Sequence, residues 1–299
     1  MDGLLIVDKP AGITSHDVVM RARRLLGERR IGHTGTLDPA ATGVLPLVVG
    51  RATRLARFLS AGDKEYDAVI RLGISTDTGD AEGRPLERLR PAMPGRGLSA
   101  ETIDRALDAF RGTFLQQPPA FSAKKVGGKR SHRLARSARP DLADPPGLPA
   151  PAKVTVHALD VVALEGDDVS LHIHCSAGFY VRSLAHDLGE RLETGAHLWR
   201  LRRTRSGEST IADAAPLETL EADPRAAADR LIPLARVLPG WPALTLTADG
   251  VRKVVHGLRV PAEGAAGTYV RLVDEGGGLV GIGRAVEGTD LLHPIVVLM

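Results

Sequence analysis

The tightest constraint on this chain is an apolar run, VLPLVVG from Val44 to Gly50, entered through the Gly/Thr/Pro-rich bend RIGHTGTLDPAATG. The run reads as a buried strand, and 299 residues are enough to build the core that such a strand needs. The bend carries a single carboxylate, Asp38. Spacing alone gives it no partner, so an Asp-Pro turn residue and a functional carboxylate held rigidly at a strand entrance both account for it. The glycines do not make a nucleotide loop. GHTGTLDPAATG is not G-x-x-x-x-G-K-S/T, and no G-x-G-x-x-G joins a strand to a helix.

The flanking patterns define the fold class. GLLIVDKP reads as a strand ended by proline. TSHDVVMRARRLLG reads as a helix capped near Ser15, with Val18, Val19, Ala22, Leu25 and Leu26 inward and Gly27 as its stop. RATRLARFLS continues the apolar strand as a helix, and KEYDAVIRLG alternates Tyr66, Ala68, Ile70 and Leu72 as a half-buried strand. LSAETIDRALDAFRG places Ile103, Ala106, Leu107 and Phe110 on one helical face. From Gln116 to Pro151 the chain is Pro-rich, then basic, then Pro/Ala-rich, as expected of an excursion from the body. KVTVHALDVVAL and DVSLHIHC read as strands, and FYVRSLAHDLGERL as strand passing into helix. Strands and helices are not strictly interleaved, which predicts an α+β fold with a mixed, largely antiparallel sheet flanked by helices. Residues 1–240 are expected to form the main domain, with an insert at about 116–151. An acidic helical connector ends near Pro242, and residues 243–299 suffice for a small β-rich module.

Charge distribution says more than the net charge of +3. Lys124 to Arg139 holds seven Lys/Arg and no Asp or Glu, and Arg200, Arg202, Arg203 and Arg205 form a second cluster. A solvated face and a phosphate-tracking surface both fit such tracts. The single cysteine, Cys175, excludes an internal disulfide and any multi-cysteine zinc site. Nothing reads as a secretory signal or as an apolar span of roughly 20 residues, so a cytoplasmic protein is the expectation.

Other chemistries find little support. TDTGDAEG (Thr76 to Gly83) misses the calcium-loop spacing. His172 and His174 share a strand face, but no third metal ligand is evident and hydrogen-bonded histidines explain them. Neither of these segments favours a bound metal. There is no G-x-S-x-G elbow, and no carboxylate pair suggests glycoside hydrolysis.

Taken as a whole, GHTGTLDPAATGVLPLVVGRATR closely resembles the signature of the TruB family of bacterial tRNA pseudouridine-55 synthases. Further segments resemble that family in the same order: GLLIVDKPAGITSHD, KEYDAVIRLGISTDTGDAEG, QQPPAFSAKKVGGKR, CSAGFYVRSLAHDLG and GAHLWRLRRTRSG. The resemblance spans Gly3 to about Gly207. It implies a pseudouridine synthase fold and cofactor-free isomerisation of uridine to pseudouridine in the tRNA T-loop, on a base flipped out of its stack. It further implies that Asp38 is the catalytic carboxylate and that Arg182 pairs with it, keeping it charged. Tyr66 would stack on the target base, Tyr180 and Leu201 would line the uracil pocket, and His33 would help hold the T-loop open. Lys9 and Pro10 would support the floor of the site. The basic insert would close on the T-arm as a thumb, with Lys124, Lys125, Lys129 and Arg130 on the RNA backbone. The C-terminal segment would be a PUA-like RNA-binding module.

One position departs from the family pattern: His132 stands where the insert often has tyrosine. Beyond about Gly207 the resemblance weakens. Two rivals remain at this stage, a synthase acting on another RNA and a tRNA-folding chaperone. A monomer without an obligate protein partner is expected.

Overall fold

The structure is a computed structural model and describes residues 1–86, 98–122, 125–126, 129–130 and 149–299. Strand β1 (Gly3–Lys9) leads into helix α1 (Ser15–Leu26). The N-cap of α1 is Thr14, one residue before the expected position. Its side chain accepts from the Asp17 N–H while the Asp17 carboxylate accepts from the Thr14 N–H, a reciprocal cap. Gly27 ends the helix in the left-handed conformation at φ 61°. Then come β2 (Ile31–His33), β3 (Thr42–Val49), a 3₁₀ turn Gly50–Leu55, α2 (Ala56–Ser60) and β4 (Lys64–Leu72). Helix α3 (Ala100–Leu107) tightens into a 3₁₀ turn, Asp108–Phe110, before β5 (Gly112–Gln116).

Two short strands, β6 (Lys125–Val126) and β7 (Lys129–Arg130), pair with each other inside the expected insert. The chain rejoins the sheet in β8 (Ala152–Glu165) and turns through Gly166 and Asp167 into β9 (Asp168–Cys175). Gln116 faces Ala152 across the β5–β8 pair, so the chain leaves and re-enters the sheet at adjacent points. Phe179 and Tyr180, expected as strand, are not paired; Tyr180 caps α4 (Val181–Arg191), whose buried face includes Arg182. Strand β10 (Ala196–Ser206) follows. Short pieces come next: β11 (Ser209–Thr210), β12 (Ala215–Pro216), α5 (Leu217–Ala222), α6 (Pro224–Asp229) and β13 (Ile232–Pro233).

These strands form one eleven-stranded sheet with the main order β12-β1-β3-β10-β4-β9-β8-β5. Among the described residues only the β1–β12 and β3–β10 pairs are parallel within it. Alternation in β4 buries Tyr66, Ala68, Ile70 and Leu72 against α3 and α4, as the period-2 pattern requires. Strands β1 and β3 are buried on both faces. Leu5, Val7, Leu45 and Leu47 pack with α1. Leu4, Ile6, Val44 and Val48 pack on the other side.

That other side is covered from the C-terminus. Strands β14 (Ala243–Leu246), β15 (Val260–Pro261), β16 (Tyr269–Asp274), β17 (Leu279–Ala285) and β18 (Leu291–Val297) form a second sheet, joined by helix α7 (Ala248–Val255). Val273, Leu279, Ile282, Val296 and Leu298 share one apolar cluster with Leu4, Ile6, Val44 and Val48. No helix among the described residues is long and apolar enough to cross a membrane.

Candidate active site

The bend before β3 is held at almost every residue. The buried Arg203 guanidinium donates to the Gly35 carbonyl at 3.0 Å. Ser15 Oγ, at the start of α1, accepts from the Leu37 N–H at 2.8 Å and donates to the Leu37 carbonyl at 3.0 Å. The Asp38 carbonyl accepts from the Ala41 N–H, and the Pro39 carbonyl from the Gly12 N–H at 2.9 Å. Lys9 Nζ, fully buried, reaches the carbonyls of Pro10, Ile13 and Pro39 at 2.8, 2.8 and 3.0 Å. An ammonium has three N–H donors, and all three are used. Lys9 and Pro10 thus sit directly beneath the bend.

Asp38 projects from this bend onto Arg182, in the first turn of α4. Arg182 Nε lies 3.0 Å from Asp38 Oδ2 and Arg182 Nη2 lies 3.3 Å from Oδ1, a two-point pairing. The rest of the fork donates to the Thr78 and Phe121 carbonyls at 3.1 and 2.8 Å. Asp80 Oδ2 stands 3.8 Å from Arg182 Nε, held by the Thr78 hydroxyl at 2.6 Å. The carboxyl of Asp38 does not titrate as sequence reasoning expected. Arg182 does pull it down, but burial outweighs that pull and Asp80 opposes it too, so the net shift is upward from 3.8. The side chain keeps 39% of its surface accessible at the mouth of the site, so the upward push comes from the groups packed behind it rather than from full enclosure. Burial likewise lowers Lys9 to about 8, against the opposing charge of Asp38.

A cleft of about 60 Å³ opens beside this pair, lined by Asp38, Arg182, Tyr66, Leu201, Phe179 and Val181 among others. Tyr66 and Leu201 therefore share the lining of this cleft with Asp38. The Tyr66 hydroxyl bonds to the Arg203 guanidinium, whose other polar contacts are the Val44 and Gly35 carbonyls. Tyr180 stands next to the cleft rather than in its lining. Its backbone is clamped on both sides by the Gln116 amide and its hydroxyl bonds Ser122. His33 ends β2 opposite Leu47 and is not in the lining. A larger cavity of about 630 Å³, bounded by Phe58, Leu238 and Trp241 among others, shares no residue with the cleft and holds none of this chemistry.

Sequence reasoning missed three residues of the site. Ser15 read as a cap, Asp80 as part of a failed calcium loop, and Arg203 as one of a basic cluster. That cluster is mostly not a phosphate surface: Arg202 pairs with Asp8 at 2.7 Å, Arg205 with Glu65 at 2.6 Å, and Arg203 is 1% exposed. The available signal was parity, since Leu201 and Arg203 are two apart on a strand and must share a face. Lys124 and His132 lie outside the described residues. Of Lys125, Lys129 and Arg130 only the backbone pairing is described.

Residues 23–181 match the family model described as TruB family pseudouridylate synthase (N terminal domain). Residues 182–238 and 242–298 match the tRNA pseudouridylate synthase B C-terminal domain and the Pseudouridine synthase II TruB C-terminal models. The chain belongs to the TruB family of pseudouridylate synthases. It is similar over its whole length to curated TruB-family relatives. The tRNA pseudouridine synthase B of Solibacter usitatus is 45% identical, with 100% of both chains covered. That of Thermobifida fusca is 43% identical, covering 99% of this chain and 98% of the relative. Among solved structures, the chain in "Crystal Structure of a Cbf5-Nop10-Gar1 Complex" matches with TM-score 0.71 and 28% identity, covering 99% of this chain and 85% of that one. A second, from "Structure of H/ACA RNP bound to a substrate RNA containing 2'-deoxyuridine", gives TM-score 0.71 at 25% identity, with the same coverage. As a TruB-family member the chain is an isomerase with the pseudouridine synthase fold, and its C-terminal β-rich segment belongs to the family architecture.

Proposed function

We propose that this protein converts uridine 55 in the T-loop of tRNA to pseudouridine, with Asp38 as the catalytic carboxylate. The observation that carries this reading is the Asp38–Arg182 pair at the mouth of a cleft floored by Tyr66. It is the one place among the described residues where a clamped bend presents a desolvated, paired carboxylate to an open, partly apolar slot. The substrate class rests on the relatives, which are tRNA pseudouridine synthases matched over 98–100% of their length. The H/ACA RNP and Cbf5-Nop10-Gar1 neighbours share only 25–28% identity, which favours tRNA over another RNA.

The base must leave its stack to reach the cleft, at a cost of a few kcal/mol that is lowest in a loop. Tyr66 then offers a ring against which it rests, and Phe179, Val181 and Leu201 keep water from the reacting atoms. Asp38 acts on the nucleotide while the N1–C1′ bond breaks, the base rotates, and C5 takes the place of N1. Attack on C1′, addition to C6 and removal of a sugar proton all start from the ionised carboxylate, which Arg182 orients. The basic insert, including Lys124, Lys125, Lys129 and Arg130, tracks the T-arm phosphates in this reading, and His33 helps hold the loop open. The C-terminal sheet serves as the PUA-like RNA-binding module, and residues 1–240 as the catalytic domain. The protein works as a cytoplasmic monomer.

Position mapping tests the reading. Incubation with an unmodified tRNA transcript, followed by carbodiimide labelling and primer extension, is expected to give one new stop, at uridine 55. A stop elsewhere, or none, would contradict it.

A further inference from the structure

Sequence alone left His172 and His174 without a third metal ligand. The structure gives the two histidines different partners. His172 Nδ1 lies 3.0 Å from Asp67 Oδ1 and is taken up by that pair. His174 instead meets His157 and Asp63, on the face of the sheet away from Tyr66. His157 Nε2 is 3.4 Å and His174 Nε2 is 3.6 Å from Asp63 Oδ2, and the two imidazole rings stack with centroids 4.7 Å apart.

A fault in strand pairing creates this meeting. In the β8–β9 ladder Val156 faces Cys175 and Ala158 faces His174, so His157 is the extra residue of a bulge. Bulges re-aim a side chain that regular pairing would place elsewhere. Here two residues of β8 stand opposite His174, and the His157 ring lies over the His174 ring. Asp63 closes the group from the loop entering β4, its carbonyl fixed by the Gly207 N–H at 2.7 Å.

We propose that Asp63, His157 and His174 bind one divalent transition-metal ion of the zinc class. The spacing suits it. Ligands held 2.0–2.1 Å from a tetrahedral ion stand about 3.4 Å from one another, close to both observed separations from Asp63 Oδ2. Proton placement points the same way. Arg205 Nη2 lies 3.0 Å from His174 Nε2, and a guanidinium only donates, so that nitrogen presents its lone pair. Arg205 holds that lone pair in this structure, so an ion binds His174 Nε2 by displacing the Arg205 Nη2 contact. Arg205 keeps its 2.6 Å bond to Glu65 Oε1 when the ion takes the imidazole lone pair. Two imidazoles and one carboxylate suit zinc, cobalt or nickel rather than magnesium or calcium. Side-chain accessibilities of 41%, 38% and 29% leave the fourth position to water. The trio shares no residue with the cleft at Asp38, so the ion would act as a clip joining the β4 entry loop to the β8–β9 hairpin.

The test uses the full-length, untagged protein with Zn²⁺ in titration calorimetry and Co²⁺ in visible spectroscopy. One Zn²⁺ per chain, a tetrahedral Co²⁺ absorption and a Zn²⁺-dependent rise in Tm are expected. His157→Ala and His174→Ala should each weaken Zn²⁺ binding by more than the roughly 10–100-fold that loss of a ligand's hydrogen-bond partner costs, whereas His172→Ala should leave it unchanged. His157 is exposed on a bulge, so its truncation leaves the core intact. No binding by the unaltered protein at micromolar Zn²⁺ overturns the proposal. So does binding that survives both substitutions, or an equal loss in His172→Ala.

Discussion

Asp38 and Arg182, 144 residues apart in sequence, meet through two contacts, 3.0 and 3.3 Å, one side chain rising from a clamped bend and the other from the first turn of α4. The pair is not a simple surface ion pair. Arg182 spends half its fork on backbone carbonyls, so its guanidinium is fixed whether or not Asp38 moves.

That division of labour predicts separable effects. Asp38→Asn keeps the shape and removes the charge, and is expected to abolish product formation while tRNA affinity changes by no more than about twofold. Filter binding and product analysis on the same preparation measure both. A parallel loss of affinity would mean that the carboxylate serves binding.

Arg182→Lys keeps the charge but cannot span Asp38, Thr78 and Phe121 together. A fall in kcat of roughly 10–100-fold is expected, equivalent to about 1.4–2.7 kcal/mol of barrier. Unchanged single-turnover rates would remove the fork geometry from the mechanism.

The pH dependence follows from the upward shift of Asp38. The native state binds this proton more tightly than the unfolded chain does. Ionised Asp38 therefore opposes folding at neutral pH, and that cost is relieved as pH falls through its folded value. Activity needs the ionised form. The acid limb of kcat/KM should accordingly have its midpoint above the ordinary aspartate value of about 3.9. A midpoint at or below that value would show Arg182 outweighing burial.

Much of this fold was legible because it follows from period and punctuation. The alternation in KEYDAVIRLG fixes which face of β4 carries Tyr66, and Gly27 ends α1 where a left-handed residue is needed. The cleft was harder. Ser15, Asp80 and Arg203 act through contacts 22 to 168 residues away, and local pattern carries no such information. Arg203 is the clearest case: a cation buried without a carboxylate, held by two carbonyls and a phenol, looks in sequence like its exposed neighbours. The sequence points only to the ring of Tyr66, whereas the structure also gives work to its hydroxyl.

Tyr66 substitutions separate those roles. Tyr66→Phe retains the stacking ring but strips a partner from buried Arg203, and should cost about 1–3 kcal/mol of stability with little loss of base affinity. Tyr66→Ala should in addition lose stacking worth roughly 1–3 kcal/mol. Urea unfolding and hairpin binding measure the two. Equal hairpin affinity for both variants would count against stacking.

Lys9→Met removes the ammonium from three part-buried carbonyls beneath the bend, of which only that of Pro39 keeps another donor among the described residues, the Gly12 N–H. A loss of about 3 kcal/mol in urea unfolding is expected, with a lower kcat because Asp38 is no longer held from below. A variant as stable as the parent would show that water replaces the ammonium.

The most direct measurement follows tritium at C5 of the target uridine in a T-arm hairpin, because rejoining the base through C5 must release that hydrogen. Release by the unaltered protein and none by Asp38→Asn is the predicted result. Substantial release by Asp38→Asn, or tight hairpin binding with no release by the unaltered protein, would contradict the assignment of Asp38 as the catalytic carboxylate of a tRNA pseudouridine synthase.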